Sequence, residues 1–289
     1  MSRVAYVNGR YLPHRAASVH IEDRGYQFAD GVYEVIAVAD GALVDGEWHL
    51  QRLRRSLDEL AMRMPMSPSA MAVVLRETAR RNRVDNGIVY MQVTRGVARR
   101  DHPFPPAAVR PALVVTARRG PARPPAVLDE GIRVLSLPDI RWQRCDIKSV
   151  SLLPNVLVKQ AAREGGAYEA WQVDDGGYVT EGSSTNAWII DQDGTLITRP
   201  VENAILNGIT RRHLIELARA AGIAVAERPF TLDEAKAARE AFITSTTSYV
   251  LPVVQIDDSV LGNGRPGSGS LRLRAMYLDF MAGAAAATA

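Results

Sequence analysis

Cysteine is almost absent from this chain, which has 289 residues and a single cysteine, Cys145. One cysteine excludes an internal disulfide and a cysteine-rich metal site. The first residues lack the continuous apolar core of a signal peptide, and no apolar run approaches the roughly 20 residues of a membrane helix. Together these absences predict a cytoplasmic protein.

Signatures of nucleotide binding are missing as well. No G-x-G-x-x-G follows a predicted strand and no G-x-x-x-x-G-K-[ST] occurs, so nicotinamide and P-loop cofactors lose their main support. The formal net charge is only +3, with acidic residues interleaved among the basic ones, which is weak evidence for nucleic-acid binding. A non-catalytic nucleic-acid-binding dimer remains the alternative from outside the enzymes.

Lysine is scarce, because only three of the 35 basic residues are lysine and the rest are arginine. Most surface positions accept either cation on its long apolar stem. Lysine differs in that its amine can lose a proton when desolvated and attack a carbonyl, whereas a guanidinium stays charged. Schiff-base chemistry with an aldehyde cofactor needs such an amine. A retained lysine is therefore a candidate nucleophile.

The three lysines have different surroundings. Lys236 lies in an acidic-to-basic helical stretch that is typical of a solvated face. Lys159 lies near the end of a predicted helix, where a cation suits the helix dipole. Lys148 follows an extended segment and precedes a helix that begins around Pro154. Lys148 is therefore the preferred candidate.

The predicted elements alternate between strands and helices in two blocks. Asn8-Gly9 between two apolar runs, for example, predicts a β-hairpin. The sequence GPARPPA at residues 120–126 is a linker by composition. We therefore predict a mixed α/β and α+β fold with an N-terminal domain over residues 1–119 and a C-terminal, cofactor-binding domain over residues 127–289.

Three short motifs offer groups for an anionic ligand that contains a ring. In LNGITRR a glycine turn opens a helix at Ile209 and Thr210, whose backbone N–H groups favour an anion. In FITSTTSYV the hydroxyls of residues 245–248, Thr246 among them, gather at a strand end, where they suit phosphate oxygens. In VTEGSSTNAW, Glu181 could pair with a cationic ring nitrogen. Each motif alone also fits an ordinary capped helix, a threonine-rich edge or a loop carboxylate.

A fourth motif, RGVARRDHPFP, carries Arg99, Arg100 and His102 in a proline-bounded loop. Arginine and histidine together suit a carboxylate, although the motif alone also fits a solvated basic loop. The other histidines are scattered and indicate no metal site. A lysine near a strand end, a phosphate-type helix start, a hydroxyl cluster and an isolated loop glutamate are the parts that pyridoxal phosphate requires.

Five motifs, in order along the chain, carry a resemblance to a known family: EDRGYQFADGVYEV, RCDIKS, VTEGSSTN, LNGITR and TSTTS. With them the chain resembles the class IV, fold-type IV, pyridoxal-phosphate aminotransferases, and among these the D-amino acid enzymes, from about residue 4 to 280. The resemblance implies two domains with the active site between them, pyridoxal 5′-phosphate as cofactor and a homodimer. It also implies transamination of D-amino acids of the D-alanine type with a 2-oxo acid such as pyruvate or 2-oxoglutarate.

The resemblance further implies roles for single residues. Lys148 holds the cofactor covalently and is the catalytic residue, Glu181 faces the pyridine nitrogen, and Arg141 lies near the phenolic oxygen. The residues implied to contact the phosphate are Arg52, Ile209, Thr210 and Thr246. Those implied to hold the substrate carboxylate are Tyr33, Arg100 and His102. The loop with Arg100 is implied to reach into the partner subunit's site.

The substrate class stays open within this family. Branched-chain L-amino acid aminotransferases, (R)-amine transaminases and aminodeoxychorismate lyase share the fold and the cofactor. The run Arg100-Asp101-His102 favours D-amino acids, because it supplies a carboxylate trap that (R)-amine enzymes lack or alter. Arg99 is adjacent and could replace Arg100 in that trap. The candidates for the side-chain pocket, which the sequence does not rank, are Ser184, Thr185, Trp188 and Leu206.

Overall fold

The computed structural model describes residues 3–120, 127 and 129–286. The chain divides into two compact units. The first comprises Met1–Pro121, Ile147–Ser151 and Met281–Ala289, and the second comprises Ala122–Asp146 and Leu152–Phe280. The linker predicted at residues 120–126 lies, apart from Gly120, outside the described residues, so the predicted domain boundaries stay a prediction.

The first unit is built on an antiparallel sheet. Its strands are β1 (Val4–Val7), β2 (Arg10–Pro13), β3 (Gly31–Ala39), β4 (Ala42–Leu43), β5 (Gly87–Thr94) and β6 (Ala112–Arg119). They are ordered β2-β1-β6-β5-β3-β4. Asn8 and Gly9 join β1 to β2 with φ angles of 45° and 95°, which asparagine and glycine adopt most readily. The hairpin predicted there is confirmed.

The helices of the first unit include one that packs on this sheet through leucine. They are α1 (Arg24–Phe28), α2 (Gly46–Glu59) and α3 (Pro68–Arg81). Leu50, Leu53 and Leu57 recur at helical spacing along α2 and are buried in the same cluster as Val89 and Met91 of β5. Burying each leucine contributes about 2 kcal/mol, which explains why this amphipathic stretch forms a helix against the sheet.

The second unit contains a mixed sheet. Its strands are β7 (Ile132–Pro138), β8 (Glu169–Val173), β9 (Val179–Gly182), β10 (Asn186–Ile190), β11 (Leu196–Thr198), β12 (Val225–Glu227), β13 (Glu240–Ser245), β14 (Tyr249–Ile256) and β15 (Ser259–Val260). The order is β12-β11-β10-β13-β14-β7-β8-β9, and β15 pairs with β14. Strand β7 is parallel to both of its neighbours, while β13 is antiparallel to both of its neighbours, β10 and β14. The predicted mixed α/β class is confirmed.

The remaining helices are α4 (Leu153–Glu164), α5 (Ile209–Ala220), α6 (Leu232–Lys236) and α7 (Ser268–Ala286). Helix α7 begins at Ser268, where the Glu240 carboxylate accepts the N–H groups of Gly269 and Ser270 at 2.9 and 2.8 Å. Among the described residues, no helix combines the length and apolar character needed to cross a bilayer.

Candidate active site

Lys148 lies in an irregular segment well beyond Pro138, where strand β7 ends, and not at the end of an extended segment as predicted. Two hydrogen bonds hold its backbone. The N–H of Tyr33 in β3 donates to the Lys148 carbonyl at 3.0 Å, and the Lys148 N–H donates to Ser56 Oγ of α2 at 3.2 Å. Pairing with a strand far away in sequence therefore determines where this lysine lies.

The amine of Lys148 faces an aromatic ring. Its Nζ lies 4.3 Å from the ring centroid of Tyr33, which is a cation–π contact. Tyr33 in turn stacks on Tyr90, with ring centroids 5.7 Å apart and an interplanar angle of 28°. Burial, assisted by the neighbouring Tyr33, raises the pKa of Tyr90 to about 12. The structure thus brings together two residues of the predicted site, Lys148 and Tyr33.

Arg52, a predicted phosphate contact, is held by a buried carboxylate. Its Nε and Nη2 donate to the two Glu34 oxygens at 2.7 and 2.8 Å, and His49 Nδ1 lies 2.7 Å from Glu34 Oε2. Burial alone would raise the pKa of Glu34, but the Arg52 charge and hydrogen bonds from Arg52 and His49 lower it to about 2. An ionised Glu34 therefore fixes the plane of the Arg52 guanidinium.

The predicted carboxylate-holding loop carries Arg100 and His102, both exposed. The guanidinium carbon of Arg100 lies 4.9 Å from the ring centroid of Phe28, and the His102 ring lies 5.6 Å from the same centroid. Within the described part of the chain, neither side chain makes a hydrogen bond or a ring contact with Tyr33. Their grouping with Tyr33 around a carboxylate stays a prediction.

Glu181 lies in β9 with only 7% of its surface exposed. One carboxylate oxygen pairs with Nη1 of Arg141. The other accepts Nδ2 of Asn186 at 3.2 Å and the Leu206 N–H at 3.1 Å. Donors from three parts of the chain therefore hold this carboxylate in one orientation. A buried carboxylate held in this way has the chemistry required of a partner for a cationic ring nitrogen.

Arg141 is a fixed cation within this network. Besides Glu181, it binds Asp139, to which its Nε and Nη2 donate at 2.9 and 2.6 Å. Burial would lower the pKa of Arg141, but the charges of Glu181 and Asp139 raise it above its ordinary value. All three of its side-chain nitrogens donate to protein oxygens. Its expected position near a phenolic oxygen stays a prediction.

Asn186 links the Glu181 carboxylate to the start of helix α5. Its Nδ2 donates to the Leu206 carbonyl at 2.9 Å as well as to Glu181. A Cβ at Gly208 would clash with Asn186 Oδ1, so this close approach requires glycine. Gly208 is also the N-cap of α5 and supplies no side-chain cap. The first N–H groups and the helix dipole therefore suit an anion such as a phosphate.

The other predicted phosphate contacts lie near this helix start or on the strand next to Asn186. Ile209 and Thr210 are the first residues of α5, and both are buried. Strand β10 pairs with β13, with Asn186 opposite Thr244, and the turn that follows β13 contains Thr246. In this second unit, Glu181, the helix start and the hydroxyl turn therefore all adjoin Asn186 or its strand partner.

Sequence reasoning missed Asn186, Glu34 and His49. Asn186 stands in the quoted motif VTEGSSTN, and its position just after Glu181 was a usable signal. Glu34 interrupts the otherwise apolar strand GVYEVIAVA, and a carboxylate in a buried strand needs a cationic partner. No local signal identified that partner as Arg52, because helix α2 meets β3 only in the folded chain.

The chain is similar to known aminotransferases in sequence and in fold. A family model described as amino-transferase class IV matches residues 31–256. The chain is 40% identical to a D-alanine aminotransferase of Staphylococcus haemolyticus over 93% of this chain and 94% of that protein. It is 42% identical to a D-alanine aminotransferase of Bacillus licheniformis over 90% of each. The crystal structure of the T.th. branched-chain amino acid aminotransferase with pyridoxamine 5′-phosphate superposes with a TM-score of 0.89 at 26% identity, covering 98% of this chain and 95% of that one.

Proposed function

Since the chain belongs to the class IV aminotransferases, we propose that it transfers the amino group of D-amino acids of the D-alanine type to a 2-oxo acid, with pyridoxal 5′-phosphate as cofactor. The observation that carries the proposal is the 40% and 42% identity to D-alanine aminotransferases over at least 90% of the chain. The similar branched-chain enzyme is only 26% identical, which supports the L-amino acid alternative less well.

The residues of the second unit fit the two polar ends of this cofactor. Pyridoxal phosphate, when bound, supplies an aldehyde for the amino group and a ring that withdraws electrons from the substrate Cα. Glu181 would hold the proton on the ring nitrogen, since it is a buried carboxylate with a fixed orientation. The phosphate would be held at Gly208, Ile209 and Thr210, where a helix starts without a side-chain cap, with Thr246 as a further hydroxyl donor.

In the first unit, Lys148 and Arg52 are the proposed cofactor contacts. Lys148 would hold it covalently through its amine and, once released, would take the proton from the substrate Cα. Two backbone hydrogen bonds and the Tyr33 ring hold Lys148 in place. Arg52 would bind the phosphate with a guanidinium that Glu34 already orients, which reduces the entropy lost on binding.

The substrate carboxylate would be held by Tyr33, Arg100 and His102. Arginine offers a planar pair of donors that matches a carboxylate, and a histidine can donate a further hydrogen bond. In the described chain Arg100 and His102 contact Phe28, whereas Tyr33 contacts Lys148. Because the three side chains have these different contacts, we propose a homodimer in which Arg100 and His102 serve the partner subunit's substrate.

An exposed apolar surface also supports the homodimer. Leu153, Val156 and Leu157 share one face of α4 at helical spacing, and 69%, 58% and 53% of their surfaces are exposed. Contiguous apolar side chains on a folded surface are typical of protein–protein contacts.

We place the enzyme in the cytoplasm, because its single cysteine requires no oxidising compartment.

A substrate panel tests the proposal. Purified protein would be given D-amino acids, L-amino acids and (R)-amines, with pyruvate or 2-oxoglutarate as acceptor. We expect D-alanine among the best donors, and we expect D-alanine but not L-leucine to change the visible absorbance of the bound cofactor. Faster turnover of L-leucine or of (R)-amines would support the corresponding alternative. A colourless protein retained on heparin in a salt-dependent manner would support nucleic-acid binding instead.

A further inference from the structure

Helix α1 holds the backbone of the loop that carries Arg100 and His102. Nη1 of Arg24 donates to the Asp101 carbonyl at 2.6 Å, and its Nη2 donates to the His102 carbonyl at 3.2 Å. The Arg24 side chain is only 4% exposed, whereas Asp101 and His102 are exposed. The buried Arg24 guanidinium therefore donates hydrogen bonds to two consecutive carbonyls of a loop whose side chains are exposed.

The same helix also contacts the side chains of that loop. Phe28 lies 4.9 Å from the Arg100 guanidinium carbon and 5.6 Å from the His102 ring. The Arg24 guanidinium carbon is itself 4.8 Å from the Phe28 centroid. Arg24 and Phe28 lie one turn apart on α1. Arg24 therefore positions the loop backbone through two carbonyls. Phe28 positions the side chains of Arg100 and His102.

Asp30 fixes Arg24 in turn. Its Oδ2 accepts the Nε of Arg24 at 2.8 Å and the Nε of Arg95 at 2.7 Å, and its side chain is 11% exposed. Arg95 donates to the Leu60 carbonyl at 2.8 Å, and its guanidinium carbon lies 3.7 Å from the Phe104 ring centroid. Two buried arginines that share the Asp30 carboxylate thus contact the loop, Arg24 at the carbonyls of Asp101 and His102 and Arg95 at the ring of Phe104.

We propose that Arg24 is a positioning residue for substrate specificity, which orients Arg100 and His102 to bind the carboxylate of the substrate. This inference rests on the proposed function, because it assigns Arg100 and His102 to that carboxylate. Arg24 acts through the loop, so its loss weakens binding of carboxylate substrates and leaves the chemistry at Lys148 unchanged. Lysine cannot replace it fully, since one ammonium cannot present a planar fork to Asp30 and to two carbonyls at once.

The test compares Arg24→Gln and Arg24→Lys with the wild type and with Arg63→Met. Arg63 is a matched control, because it is exposed and donates to two carbonyls of the same connection, at Ala107 and Val109 (2.7 and 3.3 Å), away from Arg100. The measurements are kcat and KM for D-alanine and for pyruvate, the affinity for pyridoxal phosphate and the visible spectrum.

We expect Arg24→Gln to raise KM for D-alanine and for pyruvate about tenfold, the effect of losing charged hydrogen bonds, while kcat changes less than about threefold. Arg24→Lys should raise KM by a smaller factor, and Arg63→Met should match the wild type. The cofactor spectrum and affinity should be unchanged in all of them.

Unchanged KM in both Arg24 variants would overturn the inference. So would a parallel fall in kcat and cofactor affinity in Arg24→Lys, because Arg24 would then support the fold and not the loop. If Arg24→Gln does not fold, the KM of Arg24→Lys tests the inference. A wild type without D-alanine activity would instead overturn the proposed function, and the inference with it. An active wild type with unaltered Arg24 variants overturns the inference alone.

Discussion

Arg141 and Glu181 form a buried ion pair, with side chains only 5% and 9% exposed. Asp139 holds Arg141 from the other side, so that this one cation lies between two carboxylates. Removing one partner of a buried pair leaves an uncompensated charge, which typically costs about 3–5 kcal/mol. The network therefore orients Glu181 strictly, and the proposed role of Glu181 depends on its charge.

Glu181→Gln tests that role. The amide keeps the shape of the side chain and loses its charge, so we expect kcat for D-alanine to fall about 100-fold while the cofactor stays bound. Steady-state kinetics and the visible spectrum are the measurements. The control is Glu202→Gln, because the Glu202 side chain is 42% exposed and pairs with Arg199. This variant should behave as the wild type. A Glu181→Gln enzyme with normal kcat would exclude Glu181 as the partner of the ring nitrogen.

Lys148→Ala removes the proposed catalytic amine. We expect transamination to fall at least about 1000-fold without loss of the folded state, measured by kinetics and circular dichroism. Lys236→Ala should remain active, because the Lys236 amine pairs with Asp257 at 2.8 Å and both side chains are partly exposed. In the wild type, borohydride reduction followed by peptide mass mapping should find the cofactor on Lys148. A tag on Lys159 or Lys236 would contradict the assignment.

Arg100→Ala should raise KM for D-alanine about tenfold with little change in kcat, because a guanidinium–carboxylate contact would be lost. Arg99→Ala is the natural comparison, since Arg99 is exposed and adjacent in sequence. Steady-state kinetics of both variants separate the two residues. If KM rises only in Arg99→Ala, the carboxylate is bound by Arg99.

The lowered pKa of Glu34 predicts that the folded state loses stability in acid. Its pKa is lowered from 4.5 to about 2, so the folded state gains stability that is complete above pH 4.5 and is lost as the pH falls towards 2. Between pH 4.5 and about pH 2, we expect the free energy of unfolding of the wild type to fall by on the order of 3 kcal/mol. The free energy of unfolding of Glu34→Gln should not show this fall. Urea unfolding at a series of pH values measures it. Glu47→Gln, an exposed position on α2, should follow the wild type.

The exposed face of α4 predicts a sensitive dimer contact. Leu157→Glu would bury an unpaired charge in such a contact, so we expect the dimer dissociation constant to rise at least about 100-fold in sedimentation experiments. Val73→Glu is the control, because Val73 is 57% exposed on another helix. A dimer equally stable in both variants would place the subunit contact on another surface.

Local features of the sequence were sufficient to identify much of this protein. Asn8-Gly9 predicted a hairpin that the structure confirms, and the leucines of α2 recur at the spacing of an amphipathic helix, because turn conformation and helical amphipathicity depend on neighbouring residues. Short motifs also identified Lys148 and Glu181 as candidates, since the chemistry required of those positions restricts the residue type.

Tertiary structure alone decided how these residues are held. Arg24 binds carbonyls 77 and 78 residues away, and Glu34 meets Arg52 across 18 residues. Such pairs form because a buried charge must find a partner, and the sheet and helix packing determines which one is within reach. In a chain with 35 basic residues, composition cannot indicate which arginine meets which carboxylate. The arginine–carboxylate pairs that form are those that the folded chain buries side by side.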